Sequence, residues 1–267
     1  MNRFFILFLS SLLLSAHVYA ADEFPGRKLY LAVPYIELDE AYQRRQQLVF
    51  VDVRSGYEYQ TLRIKGALHI SLSDKDFVEK MNRLRAQQAG KAIVVYCNGK
   101  TCMKSYKAVT KCRLHNIANV IAYDAGIMDW AKKYPAQAVL LGKSPINPNN
   151  LISKARFKKH LLDPEKFEEQ VATSNSLVLD VRDQFQREGI GIFAGKEQRA
   201  PLDNQQLIDK YLDQARRENR SLLVYDAAGK QVHWLMYQIE EKGIKSFYFM
   251  DGGAHAYFKK LRQQFVR

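Results

Sequence analysis

The sequence predicts an α/β protein of two similar domains, each a parallel β-sheet flanked by helices. Short, β-branched apolar runs alternate with amphipathic stretches of helical spacing, as in a parallel sheet with helical crossovers. The same landmarks recur in the same order in both halves of the chain. The length of 267 residues exceeds what one average domain holds.

The chain opens Met1-Asn2-Arg3, runs apolar from Phe4 to Leu14, and closes on Val18-Tyr19-Ala20, with a small residue before Ala21. A positive start, a short apolar core and a small residue before the scissile bond are the marks of a secretory signal peptide, so residues 1–20 are expected to be removed after Ala20. The apolar core falls short of the roughly 20 residues that a bilayer span needs. The mature chain is therefore expected in the periplasm or secreted, without stable membrane insertion. Lysine and arginine number 41 against 28 acids, a net charge of +13; the leader holds one of the arginines, leaving +12. A basic surface attracts small anions. The bases are interspersed with acids (Arg44-Arg45, Lys158-Lys159, Arg216-Arg217) and form no aromatic-interleaved stripe, so nucleic acid is not an expected partner. Three cysteines are too few for a disulfide scaffold, and all lie between positions 97 and 112, which makes them a matter of local chemistry.

The first strand of each half is a run buried on both faces that ends in Asp-Val-Arg: Leu48 to Arg54, and Leu177 to Arg182. Amphipathic helices follow, around Phe77 to Leu84 and Leu207 to Leu212. A second buried strand runs Ala92 to Cys97 in one half and Leu222 to Asp226 in the other. Its end lies 45 residues after Asp52 in the first half and 46 after Asp180 in the second. Helices are predicted next, Ser105 to Leu114 and Val232 to Lys242. The third landmark is Asp124-Ala125-Gly126 with Trp130, against Asp251-Gly252-Gly253 with Tyr257. Three landmarks in one order and spacing constitute an internal duplication. Pro145, Pro148 and the neighbouring asparagines mark a linker. The expected division is 21–140 for the first domain, 141–155 for the linker and 156–267 for the second domain.

Taken together, Asp-Val-Arg, Glu58-Tyr59, Ile64-Lys65-Gly66-Ala67, a strand ending in Cys97, and Gly126 with Trp130 resemble the rhodanese family. The resemblance covers nearly all of the mature chain and is stronger in the first half, because Ala194-Gly195-Lys196 only loosely echoes the middle motif. Leu62-Arg63-Ile64 stands where the family has Gly-His-Ile, and Ala125-Gly126 where it has paired glycines.

The chemistry converges on one loop. After Cys97 come Asn98, Gly99, Lys100, Thr101, Cys102, Met103 and Lys104, and Ser105 is expected to cap the next helix. A cysteine between a strand end and a helix N-terminus faces backbone N–H groups, which stabilise a thiolate and bind an anion. Lys100 and Lys104 add positive charge. The family resemblance implies that Cys97 attacks the outer sulfur of thiosulfate or a related anionic donor. It would then carry that sulfur as a persulfide and pass it to cyanide or a thiol. Residues 98–104 would bind the donor. A buried structural cysteine is the competing reading.

The second-half counterpart, Asp226 to Val232, has aspartate where the nucleophile would stand. Aspartate holds no transferable sulfur and repels an anionic donor, so this domain is expected to be inactive and to pack on the first. Cys97 lies 29 residues before Gly126, and Asp226 lies 27 before Gly253, so the first loop should be two residues longer unless the helix takes up the difference. An enlarged loop invites comparison with rhodanese-fold phosphatases, which use Cys-x5-Arg. Here the sixth position after Cys97 is Met103, which makes no bidentate phosphate contact.

Cys112 falls two turns into the predicted helix, too far from Cys102 for a disulfide, on a face with Ala108 and Val109. It reads as core. Cys102 could resolve a Cys97 persulfide, pair with Cys97 reversibly, or be inert. Asp52 and Arg54 resemble a structural pair beneath the loop, since Asp180 and Arg182 persist in the half without cysteine. The histidines show no metal-ligand spacing with the cysteines, and no glycine-rich phosphate loop or dinucleotide fingerprint occurs, so neither metal nor cofactor is expected. The function expected is an exported sulfurtransferase. The alternative is a non-catalytic or redox-active rhodanese-like module that docks a partner protein.

Overall fold

The computed structural model describes residues 24–172, 175–183, 186 and 191–265. The expected leader, residues 1–20, lies outside them. The first half runs α1 (Pro25–Leu29), α2 (Leu38–Gln43), β1 (Leu48–Asp52), α3 (Gly56–Thr61), β2 (Leu62–Ile64), β3 (Leu68–His69), α4 (Phe77–Gln87), β4 (Ala92–Tyr96), α5 (Lys104–Leu114), β5 (Val120–Tyr123), α6 (Gly126–Lys133) and β6 (Ala138–Leu140). The second runs α7 (Lys154–Lys158), β7 (Leu161–Leu162), α8 (Pro164–Ala172), β8 (Ser176–Asp180), β9 (Glu197–Arg199), α9 (Gln205–Arg217), β10 (Ser221–Tyr225), α10 (Val232–Glu241), β11 (Phe247–Met250) and α11 (Gly253–Phe265).

Both main sheets are parallel, as the alternating pattern predicts. The first has the order β3-β1-β4-β5, and the second β7-β11-β10-β8-β9. The central strand pairs keep the same register: Leu48 to Asp52 faces Ala92 to Tyr96, and Ser176 to Asp180 faces Ser221 to Tyr225. Asp52 and Asp180 thus end equivalent strands. One feature the sequence did not announce is the antiparallel pairing of β2 with β6, which returns the chain to α3 before it leaves the first half.

The two faces of the first sheet are covered differently. Val51, Val53, Ile93, Val95, Phe77, Met81, Val109 and Cys112 form a core beneath α4 and α5. Phe50, Tyr96, Trp130 and Leu62 belong to a second core, which continues without a break into Leu177, Leu179, Val224, Trp234 and Phe249 of the second half. The segment between the halves is packed rather than loose. Leu141 N–H donates to Thr61 O, Ile146 N–H to Pro135 O, and Ile152 N–H to the Tyr237 hydroxyl, while Ile146, Leu151 and Ile152 are buried. Burying one such aliphatic side chain is worth about 1.5–3 kcal/mol, so the continuous core holds the halves together.

The loop-length expectation resolves into two parts. Seven residues, 97–103, separate β4 from α5, and six, 226–231, separate β10 from α10. Helix α5 has 11 residues and α10 has 10. One extra residue is therefore in the loop and one in the helix.

Candidate active site

Cys97 follows the last residue of β4 at the C-terminal edge of the parallel sheet, the edge where open α/β folds bind ligands. The loop that follows is shaped by Gly126. That residue has φ +70°, and a Cβ there would stand 2.4 Å from Gly99 N and 2.6 Å from Asn98 C. Only a glycine lets the start of α6 approach the loop so closely. Ile127 N–H donates to Cys97 O and Met128 N–H to Asn98 O, which fastens the loop to α6. The second half repeats the device: Gly253 has φ +59°, and a Cβ there would meet Asp226 O at 2.4 Å.

Beneath the loop, Arg54 and Asp52 are buried and paired. Arg54 Nη2 donates to Asp52 Oδ2 at 2.6 Å and Nε to Oδ1 at 2.9 Å, while Nη1 donates to Asn98 Oδ1 at 2.9 Å. Burial alone would pull the guanidinium down, but Asp52 outweighs it and holds Arg54 above its ordinary value. Arg182 and Asp180 repeat the pair at 2.7 and 2.9 Å. The structural role read from their persistence in both halves matches this geometry. The first half adds the bond to Asn98, and Ala227 in the equivalent position of the second loop has no side chain to receive one.

The residues flanking Cys97 have distinct tasks. Both ends of the Asn98 amide are engaged, accepting from Arg54 and donating to Glu58 Oε1 at 2.8 Å, so Asn98 anchors the loop. Glu58 sits in a capping box with Ser55 at the start of α3. Burial pushes its carboxyl up, but Arg54, Lys104 and the Asn98 bond together hold it below the usual carboxylate range. Lys100 lies 3.4 Å from Asp129 and Lys104 3.8 Å from Glu58. Lys104 is the first residue of α5, where the helix dipole disfavours a cation. The Glu58 carboxylate beside it offsets that cost. Thr101 is exposed, and Met103 packs its side chain against the core under α5.

Ser105 is not the helix cap. Met103 occupies the cap position without a side-chain bond, and Ser105 is buried inside the first turn. Its hydroxyl instead lies 3.9 Å from Cys97 Sγ. The residue suits a cap by type, but the loop's own turn, in which Cys102 N–H donates to Gly99 O at 2.8 Å, starts the helix earlier and swings Ser105 under the sulfur.

Cys97 and Cys102 are joined as a disulfide, with Cα atoms 6.4 Å apart. Cys97 is fully buried, whereas Cys102 keeps some exposure. Cys112 is a free, buried thiol on α5, pushed up to about 12 by burial against the opposing charge of Lys111.

The second loop shows what the backbone of such a loop does. The Asp226 carboxylate folds back into it and accepts from Ala228 N–H at 2.8 Å, Gln231 N–H at 2.5 Å, Val232 N–H at 3.1 Å, and Gly229 N–H. Four N–H groups converging on one anion at the start of α10 make an anion nest. The carboxylate expected to repel an anion thus already occupies the N–H groups of its own loop.

The second half also reaches the first loop's supports. Trp234 on α10 lies over the Arg54 guanidinium at 5.0 Å. His233, beside it, is held below its ordinary value by burial, countered in part by a bond to the Ile152 backbone and the nearby Glu58 charge. Neither residue carries a motif, so only the packing of α10 on α3 reveals them.

The rhodanese-like domain family matches residues 37–133 and 163–260, most of the chain, and the chain belongs to that family. The family is one of sulfurtransferases in general. No curated protein matches the chain. Among solved structures it is similar to a thiosulfate sulfurtransferase from Pseudomonas aeruginosa, with 13% identity, 87% of this chain and 66% of that chain covered, and a TM-score of 0.33. It is also similar to a rhodanese-like domain from Anabaena, with 19% identity, 45% and 92% covered, and a TM-score of 0.35. A third likeness is to a Bacillus halodurans protein, with 19% identity, 50% and 92% covered, and a TM-score of 0.37.

Proposed function

We propose that this protein is an exported sulfurtransferase that carries sulfane sulfur as a persulfide on Cys97. The observation that carries this reading is the pair of equivalent loops. One holds a carboxylate in a nest of four N–H groups; the other has a cysteine at the equivalent position. A thiolate in such a nest is stabilised, and an anion beside it is attracted. With thiosulfate, the Cys97 thiolate attacks the outer sulfur, the sulfur–sulfur bond of the donor breaks, and sulfite leaves with the bonding pair. A thiol or cyanide then takes the outer sulfur and regenerates the thiolate. The Ser105 hydroxyl can donate to the sulfur, and the Lys100 and Lys104 charges favour an anionic donor. The leader-like start of the chain supports action in the periplasm or outside the cell.

The test is intact mass of the reduced, folded Cys102→Ser protein after thiosulfate and then cyanide. Gain of one sulfur atom, lost again to cyanide and absent from the Cys97→Ser, Cys102→Ser double variant, is the expected result. A folded, reduced protein that gains no sulfur sinks the proposal.

A further inference from the structure

The loop that holds Cys97 contains a second thiol whose position is unequal to the first. We infer that Cys102 is a resolving thiol, which converts the Cys97 persulfide into the Cys97–Cys102 disulfide and releases its sulfur as hydrosulfide. The inference rests on the sulfur-transfer reading, but adds a second fate for the sulfur: reductive release in place of transfer to an acceptor.

Three observations carry it. The two cysteines reach each other in the folded protein, with Cα atoms 6.4 Å apart, inside the range that disulfides occupy. Their exposure differs: Cys97 is buried to the last atom and Cys102 is not. The pair is confined to the loop with the reacting position, for the second loop, from Asp226 to Gln231, has no cysteine. Cys112 is no competitor, because it is buried on α5 in the core beneath that helix.

The step balances as follows. The Cys102 sulfur attacks Cys97 Sγ, the inner sulfur of the persulfide. The bond between Cys97 Sγ and the outer sulfur breaks, and its electron pair leaves with the outer sulfur. That sulfur takes the proton of the Cys102 thiol and departs as hydrosulfide. Cys97 Sγ exchanges one sulfur–sulfur bond for another and keeps its oxidation state, while the Cys102 sulfur is oxidised by one electron and the outer sulfur is reduced by one. A further turn requires an external dithiol as reductant. Cys102 is the more exposed residue of the pair, so the reductant's first thiol is expected to bond to Cys102 and expel the Cys97 thiolate, which the start of α5 stabilises as a leaving group. Its second thiol then frees Cys102. While the disulfide stands, the nucleophile is sealed from any donor.

The experiment compares reduced wild type, Cys102→Ser and Cys102→Ala, each treated with thiosulfate without oxygen, by intact mass and sulfide assay. Wild type should release one equivalent of sulfide and end two hydrogens lighter, with no persulfide accumulating. Both variants should hold the added sulfur and release none until a thiol is supplied. If wild type keeps its persulfide as long as the variants do, Cys102 does not resolve it, and sulfur transfer through Cys97 stands without this step. If no form gains or releases sulfur, both readings fall, and the fault lies with sulfur transfer itself. A monothiol applied to the disulfide form should be found attached to Cys102; attachment to Cys97 would overturn the order of attack.

Discussion

Emptying the nest of the second loop measures what such a loop is worth as an anion site. In Asp226→Ala, four N–H groups at the start of α10 lose their acceptor. The loss of a helix cap alone costs about 0.5–2 kcal/mol. Hydrogen bonds to a charged group are each worth about 1.5–3 kcal/mol, which sets a far higher ceiling if all four were lost independently. Three of the four donors, Ala228, Gly229 and Gln231, belong to residues with partial exposure, so water can replace part of the loss. A destabilisation of about 3 kcal/mol is therefore expected, which for a chain of this size is a fall in Tm of about 6–12 °C. The assay is urea denaturation of wild type and variant, repeated with increasing sulfate. Sulfate stabilises any fold by exclusion from its surface, but it should stabilise the variant more than wild type, because only the variant has an open nest. A variant within about 0.5 kcal/mol of wild type, the range of ordinary surface changes, or equal stabilisation of both by sulfate, would refute the anion-site account of both loops.

The glycine crossings give a matched pair. Gly126→Ala and Gly253→Ala each impose a left-handed residue and a clash with backbone at 2.4 Å, so each should cost about 2–5 kcal/mol from strain and overpacking combined. Denaturation should show similar losses, whereas with Cys102→Ser added to each, so that the sulfur is retained, persulfide formation on thiosulfate should fail only with Gly126→Ala; equal loss of persulfide in both would detach Gly126 from the site. Glu58 makes stability fall in acid. Its folded carboxyl is held below the ordinary value, so its contribution is complete above the unfolded glutamate value of about 4.3 and disappears as pH falls through the lower folded value. Urea midpoints measured from neutral to acid pH should fall more steeply in wild type than in Glu58→Gln, and parallel curves would show that Glu58 is not so held.

Much of this arrangement could be read from the chain. The duplication, the parallel strands and the Cys97 loop were legible because they rest on local patterns: buried β-branched runs, turns, and a cysteine at a strand end. The partners of the loop were not. Asn98 reads as a loop residue that could touch substrate, yet Arg54 from 44 residues away and Glu58 from 40 residues away occupy its amide. Ser105 has the chemistry of a cap and is used otherwise, because the preceding turn sets where α5 begins. Asp226 was legible as the loss of a nucleophile, but its second property, four bonds to its own loop, needs the loop's closed shape. Pairing of Cys97 with Cys102 stood open in the sequence, since spacing alone does not say whether two thiols in a seven-residue loop turn toward each other.

The continuous core beneath Trp130 and Trp234 changes what damage to the second half means. Because Trp234 rests on the Arg54 that holds Asn98, mutational tolerance along α10 follows distance from α3 as well as distance from the second loop. Lys230, exposed on the second loop, can vary freely, while substitutions along the buried side of α10 are felt through Arg54 at the loop of Cys97, on the other half of the chain.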